Sequence, residues 1–102
     1  MMPPVTISKK AIEEIKQILK AKKVPTGYGL RVGVKGGGCA ATLILGFDEK
    51  QENDIEYNID EISVFIQKKE TMFVIGKEVD FYEGADRRGF LFKDQEVIKE
   101  KP

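Results

Sequence analysis

Two runs of alternating apolar and polar residues, joined by a glycine-rich segment, constrain this chain more than any other feature. Apolar side chains stand at every second position in Leu30–Val34 and again in Leu43–Phe47. A period of two is typical of a strand that buries one face. We therefore predict two strands joined as a hairpin, with Gly36–Gly38 and then Cys39, the only cysteine of the chain, in the connection.

The residues of the connection support two interpretations. Glycines adopt positive φ at no steric cost, so the segment can be a flexible turn that ends in a small apolar cysteine. Bare backbone amides also favour an anion, so the same segment can present a thiolate. A phosphate-binding loop is excluded, because a P-loop needs Lys and Ser or Thr after its last glycine, whereas Cys39, Ala40 and Ala41 follow here.

Composition narrows the chemistry. Lys and Arg number 17 and Asp and Glu number 17, so no net field draws the chain to nucleic acid or to an acidic membrane. The chain has no histidine, which removes the commonest general base and metal ligand. We therefore expect a protein that is not an enzyme.

The N-terminal residues, the hydrophobic stretches and the cysteine content bear on the cellular location of the chain. The first residues lack the apolar core of a signal peptide, and no uncharged stretch reaches the ~20 residues that span a bilayer. A single cysteine cannot form an intrachain disulfide. We expect a cytoplasmic protein without a membrane partner.

The N-terminal region predicts a helix. Ser8 is a good N-cap, and Ile7 and Ile12 stand at the positions of a hydrophobic staple around it. Apolar residues then recur at helical spacing from about Lys9 to Lys22. We expect this helix to cover a sheet, and we expect Met1–Pro4 to be a frayed leader.

The remainder of the chain predicts further short strands. Alternation indicates strands within 55–59 and 62–66, around Val79 and Phe81, and around Phe90 and Phe92. The acidic run 48–54 lacks the spacing of an EF-hand loop, so we interpret it as a solvated connection. Residues 67–75 fit either a short helix or an extended segment.

Together these segments predict an α+β fold that is mostly β. We expect one domain over residues 1–102, with a core at 5–93 and a charged tail at 94–102 in solvent. The side chains expected to share one core are Ile12, Ile15, Leu19, Leu30, Val32, Leu43, Leu45, Phe81 and Phe90.

Several of these segments, in order, resemble the A-type iron–sulfur cluster carrier (HesB-like) family. The hairpin carries GLRVGV at 29–34, GGGC at 36–39 and LGF at 45–47. Residues 5–23 resemble the entry strand and first helix of that family, GKEVDF at 76–81 its glycine-bounded strand, and GFLF at 89–92 its late G-F-x-F element. The resemblance covers roughly residues 5–93.

The resemblance implies an N-terminal helix packed on two small mixed or antiparallel sheets, in a homodimer or tetramer. It also implies binding of an iron–sulfur cluster or iron and its transfer to apoprotein acceptors. In that pattern a cysteine after the glycines acts with a Cys-x-Cys pair in the tail. Only the first carries over, onto Cys39 with Gly36, Gly37 and Gly38 beside it, since residues 94–102 read DQEVIKEKP.

The missing pair keeps other functions open. Cluster iron is normally held by four thiolates, and a dimer of this chain offers two. One alternative is a relative that keeps the fold as a binding or regulatory module without a cluster. Another is a thiol-dependent redox protein, although no histidine or second cysteine is present to activate or regenerate Cys39.

Overall fold

The computed structural model describes residues 2–21, 24–36 and 42–94. Seven strands and two α-helices form along this part of the chain. In order the elements are β1 (Val5–Ile7), α1 (Lys9–Lys20), β2 (Gly29–Lys35), β3 (Thr42–Asp48), β4 (Asp54–Ile59), β5 (Ile62–Gln67), a 3-10 helix (Lys68–Glu70), α2 (Thr71–Val74), β6 (Lys77–Glu83) and β7 (Arg88–Asp94).

The strands form two mixed sheets. In the larger sheet the order is β3-β2-β5-β4, with antiparallel β2–β3 and β4–β5 pairs and a short parallel β2–β5 pair. In the smaller sheet the order is β1-β6-β7, with β1 parallel and β7 antiparallel to β6. The predicted α+β, mostly β fold with an N-terminal helix on two small sheets is confirmed.

One apolar core joins both sheets and α1. Ile15, Leu30, Val64 and Val79 are fully buried in it, and each comes from a different element. Of the nine side chains predicted for the core, the majority are buried in this cluster, and Leu19, Leu43, Leu45 and Phe90 pack against it while partly exposed. The edge position of β3 explains the partial exposure of its two leucines.

Helix α1 begins where its cap predicts. The Ser8 hydroxyl accepts a hydrogen bond from the Ala11 amide (3.1 Å) and donates one to Asp80 on β6 (2.6 Å). Ile7 and Ile12, the predicted staple pair, are both buried in the core. The helix ends at Lys20 with Ala21 as its C-cap, two residues before the predicted end at Lys22.

Two expectations about the chain ends are wrong within the described residues. Pro4 is buried rather than frayed, because its carbonyl accepts a hydrogen bond from the Gly76 amide (2.9 Å). Asp94, the first residue of the predicted tail, is the last residue of β7, although its side chain is 83% exposed and its carboxylate pairs with Lys77 (2.6 Å). Residues 95–102 lie outside the described part of the chain.

The structure also decides the 67–75 segment, which the sequence left open between a short helix and an extended segment. Residues 68–74 are helical, with the 3-10 helix and α2 in succession, whereas Gln67 ends β5 and Ile75 is extended. The turn between β4 and β5 consists of Asp60 and Glu61, both at positive φ (48° and 71°). Such turns favour Asn-Gly or Asp-Gly, and the Asp-Glu pair departs from that preference.

Candidate functional site

The predicted hairpin exists, and its glycine-rich connection leaves the exposed end of the larger sheet. The last pair of the β2–β3 ladder is Lys35 with Thr42, and both residues are exposed. Gly36 follows with φ +84°, a conformation that a residue with a Cβ rarely adopts. Gly37, Gly38 and Cys39 lie outside the described residues.

Glu70 supports the hairpin just before this connection. Its carboxylate accepts a hydrogen bond from the Val34 amide at 3.2 Å. The amide needs that partner because β2 and β5 are paired only at Leu30 and Arg31, after which the chain leaves β5 for the 3-10 helix. A side chain from the helical segment therefore satisfies the backbone where the neighbouring strand no longer does.

The space for Glu70 is provided by Gly33. A Cβ at that position would lie 2.7 Å from the Glu70 carboxylate and 3.8 Å from the side chain of Ile44 on β3. A glycine inside a strand often marks such a close approach. Gly33 was therefore an available sequence signal, although nothing in the pattern identified Glu70 as the group above it.

Arg31 fixes the opposite end of the hairpin. Its guanidinium forms a two-pronged ion pair with Asp54 at the start of β4, including an Nη2–Oδ2 bond of 2.7 Å. It also donates to Asp48 (3.3 Å) and to the carbonyl of Glu49 (3.1 Å). The Gln51 amide donates to Asp54 (2.7 Å). The prediction of a solvated 48–54 connection is thus wrong at both ends, because Arg31 draws the acidic residues onto the sheet.

The ion pair between Arg31 and Asp54 is largely buried, and each charge shifts the pKa of the other group. The Asp54 side chain is 0% exposed and that of Arg31 is 12% exposed. Hydrogen bonds from Arg31 hold the pKa of Asp54 below its ordinary 3.8, although burial acts in the opposite direction. The same bond to Asp54 raises the pKa of Arg31. The carboxylate stays ionised at neutral pH, so the network is a permanent clamp across β2, β3 and β4.

The donor atoms limit what the site can hold. The sequence contains one cysteine and no histidine. Among residues 2–21, 24–36 and 42–94, no three acidic, histidine or cysteine side chains converge in a way that could hold a metal ion. One chain can therefore offer a soft metal centre at most one thiolate, that of Cys39. None of the described helices is both long and apolar enough to cross a membrane.

Comparison with known proteins places these features in a family. The profile described as iron–sulphur cluster biosynthesis matches residues 4–100. The chain belongs to the iron–sulphur cluster biosynthesis family. The predicted resemblance is therefore confirmed, and the role of this family in cluster assembly applies to the chain.

Individual members of the family agree with this assignment. The mitochondrial iron–sulfur cluster assembly 1 homolog of Danio rerio is 34% identical over 95 residues, which are 91% of this chain and 72% of that protein. The protein named SufA in Bacillus subtilis is 33% identical over 100 residues, with 96% and 82% covered. A crystal structure of Escherichia coli SufA superposes with a TM-score of 0.74 at 26% identity, covering 96% of this chain and 86% of that one.

Proposed function

We propose that this chain carries iron–sulfur clusters, with Cys39 as its own ligand to the cargo and Gly36, Gly37 and Gly38 giving the cluster access to the backbone. The observation that carries the proposal is the position of the only cysteine. It lies between two strands whose exposed ends bracket the connection, in a chain that belongs to a cluster assembly family. The clamp of Arg31 and the support from Glu70 hold those strands in a fixed register.

One chain cannot complete the ligand set, so we propose that the cargo lies between two copies. Two Cys39 thiolates would supply two of the four ligands that a cluster normally takes. Carboxylates are harder donors and poor partners for sulfide-bridged iron. Small thiols such as glutathione would supply the other two. A homodimer, or a tetramer built from such dimers, follows from this sharing.

The proposal also names the recipients of the cluster and the compartment in which the chain would act. The recipients would be apoproteins that take up the cluster, and the chain itself would transfer cargo without catalysing a further reaction. Cys39 must remain a free thiolate to act as a ligand. A reducing compartment such as the cytoplasm meets that requirement.

A second candidate function is a binding or regulatory module of the same fold without a cluster. The observation in its favour is the sequence DQEVIKEKP at 94–102, which has no cysteine where the family pattern has a pair. The two candidates differ in one measurable property, the retention of sulfide-bound iron.

Anaerobic reconstitution distinguishes them. With iron and sulfide alone we expect weak binding, and with millimolar glutathione we expect stable, coloured protein, because glutathione supplies the missing thiolates. Replacing residues 97–102 with a tail that contains Cys-Gly-Cys should restore binding without glutathione. If the folded graft and the glutathione sample both remain colourless, the module without a cluster is the correct function.

A further inference from the structure

Three apolar side chains project into solvent from the helical segment beside the hairpin. Met72 is 84% exposed, Phe73 47% and Ile75 62%. They fall within four consecutive positions, and only Val74 between them is buried. Scattered exposed apolar residues are ordinary, but a contiguous group marks an interaction site.

The exposure is built into the fold. Val74 is fully buried and packs the helical segment against the core. The Ile75 amide donates to the Thr71 carbonyl (3.0 Å), and the Gly76 amide donates to the carbonyl of Pro4 (2.9 Å). These bonds fix the backbone on both sides of the projecting side chains, so the segment presents them in one arrangement.

Positive charge lies next to this apolar group. Lys68 and Lys69 are exposed, and neither forms an ion pair within the part of the chain that the structure describes. Lys68 and Lys69 belong to the 3-10 helix that leads directly into α2, and α2 carries Met72 and Phe73. The acidic residue between them, Glu70, is turned inward to the Val34 amide. We name the group formed by Lys68, Lys69, Met72, Phe73 and Ile75 the basic apolar patch.

The basic apolar patch adjoins the candidate site. Glu70 lies above Gly33, and the side chain of Ile44 is on the same face of the hairpin. Ile44 is itself 40% exposed. Exposed apolar surface is therefore present both on the helical segment and on the strand that follows the glycine-rich connection.

We infer that the basic apolar patch docks the apoprotein acceptor, and that this acceptor offers carboxylates beside apolar side chains. The inference rests on the proposed function and names the partner of that same site. Charge complementarity selects the acceptor, because the two exposed lysines attract an acidic surface and the apolar side chains then bind at short range. Docking there would bring the acceptor beside Glu70, which accepts a hydrogen bond from the Val34 amide near the end of β2.

The 48–54 run of a second copy is a poor occupant of the basic apolar patch. The most acidic run, residues 48–54, contains no apolar residue. Its Asp48 and Asp54 are also bound to Arg31. That run cannot offer carboxylates and apolar side chains together.

The experiment uses a plant-type apo-ferredoxin of negative net charge as the acceptor. The variants are Lys68→Glu with Lys69→Glu, and Met72→Ser with Phe73→Ser. Matched controls on other surfaces are Lys9→Glu with Lys10→Glu, and Tyr82→Ser, since those lysines and that tyrosine are also exposed. Each protein is loaded with iron, sulfide and glutathione, and the rate of cluster transfer is followed by circular dichroism. Direct binding of the unloaded chain to the apo-ferredoxin is measured by biolayer interferometry.

Both patch variants should load normally yet transfer and bind at least about tenfold less well, with the controls unchanged. The loss in the lysine variant should shrink as salt rises. Normal loading with unchanged transfer and binding overturns the inference but leaves the proposed function intact. Failed loading of the unmodified chain contradicts the proposed function, and the binding assay still decides the docking surface. Two other results would also overturn the inference, because each would assign the patch to another occupant. The first is that the patch variants lose self-association in sedimentation while their binding to apo-ferredoxin is unchanged. The second is that they lose binding to phosphatidylserine vesicles while their binding to apo-ferredoxin is unchanged.

Discussion

The ion pair between Arg31 and Asp54 should be the most sensitive polar contact in the fold. Asp54 has no exposed side-chain surface and Arg31 is 12% exposed, so changing Arg31→Leu leaves a buried carboxylate with only the Gln51 amide as partner. Removing one member of a buried pair costs about 3–5 kcal/mol. That is a large part of the roughly 5–15 kcal/mol that stabilises a domain of this size. The double change Arg31→Leu with Asp54→Leu should recover most of the loss, since no charge is then left buried.

Urea unfolding followed by circular dichroism measures these free energies. Changing Lys16→Met provides the control, because Lys16 and Glu61 form an exposed pair (3.7 Å) that should contribute about 0–1 kcal/mol. The lowered pKa of Asp54 adds a pH dependence. The stabilisation that the ionised Asp54 carboxylate gives the fold is complete above its ordinary pKa of 3.8, and it is lost as pH falls towards the lower pKa of the folded state. A cost below about 1 kcal/mol for Arg31→Leu would refute the account of the clamp.

Further predictions concern steric space and the helix cap. Changing Gly29→Ala should cost about 1–3 kcal/mol, because the new Cβ would lie 2.6 Å from the carbonyl of Ser63. Gly46→Ala, whose new Cβ would meet no atom within 4 Å, should change the free energy of unfolding by no more than about 0.5 kcal/mol. Equal losses of stability for the two glycine variants in thermal unfolding would contradict the close packing around Gly29. Ser8→Ala should cost about 1–2 kcal/mol by loss of the cap. The Ser8 bond is the largest of the contacts that lower the pKa of Asp80 to about 2, ahead of Lys93 and the Phe81 amide. Without it the folded pKa should move back towards 3.8, so the variant should lose less stability than the unmodified chain as pH falls below 3.8, and an equal loss would be inconsistent with that bond.

Local patterns predicted the hairpin, the first helix and most of the core. Period-two alternation located β2 and β3, and the Ser8 cap located the start of α1. These signals work because each depends on near neighbours along the chain. The arrangement of strands into two sheets came from the family resemblance, since alternation does not specify which strands pair.

The polar contacts over long sequence separation could not be predicted in this way. Arg31 and Asp54 are 23 positions apart, and Val34 and Glu70 are 36 apart. Nothing in the local sequence distinguishes Asp54 from the other acidic residues of the 48–54 run, or Glu70 from other surface glutamates. Gly29 and Gly33 were the available signals, because glycine inside a strand indicates that another group approaches the backbone closely.

The most direct test of the central claim, that Cys39 binds the cargo between two chains, is native mass spectrometry of the protein reconstituted anaerobically with iron, sulfide and glutathione. The account predicts one species that contains two chains, one cluster and two glutathione molecules, and it predicts that Cys39→Ser leaves only cluster-free protein. Since oxygen donors are poor ligands for sulfide-bridged iron, the serine variant has no adequate substitute. A cluster held by a single chain, or the same amount of cluster on the Cys39→Ser variant, would contradict the account.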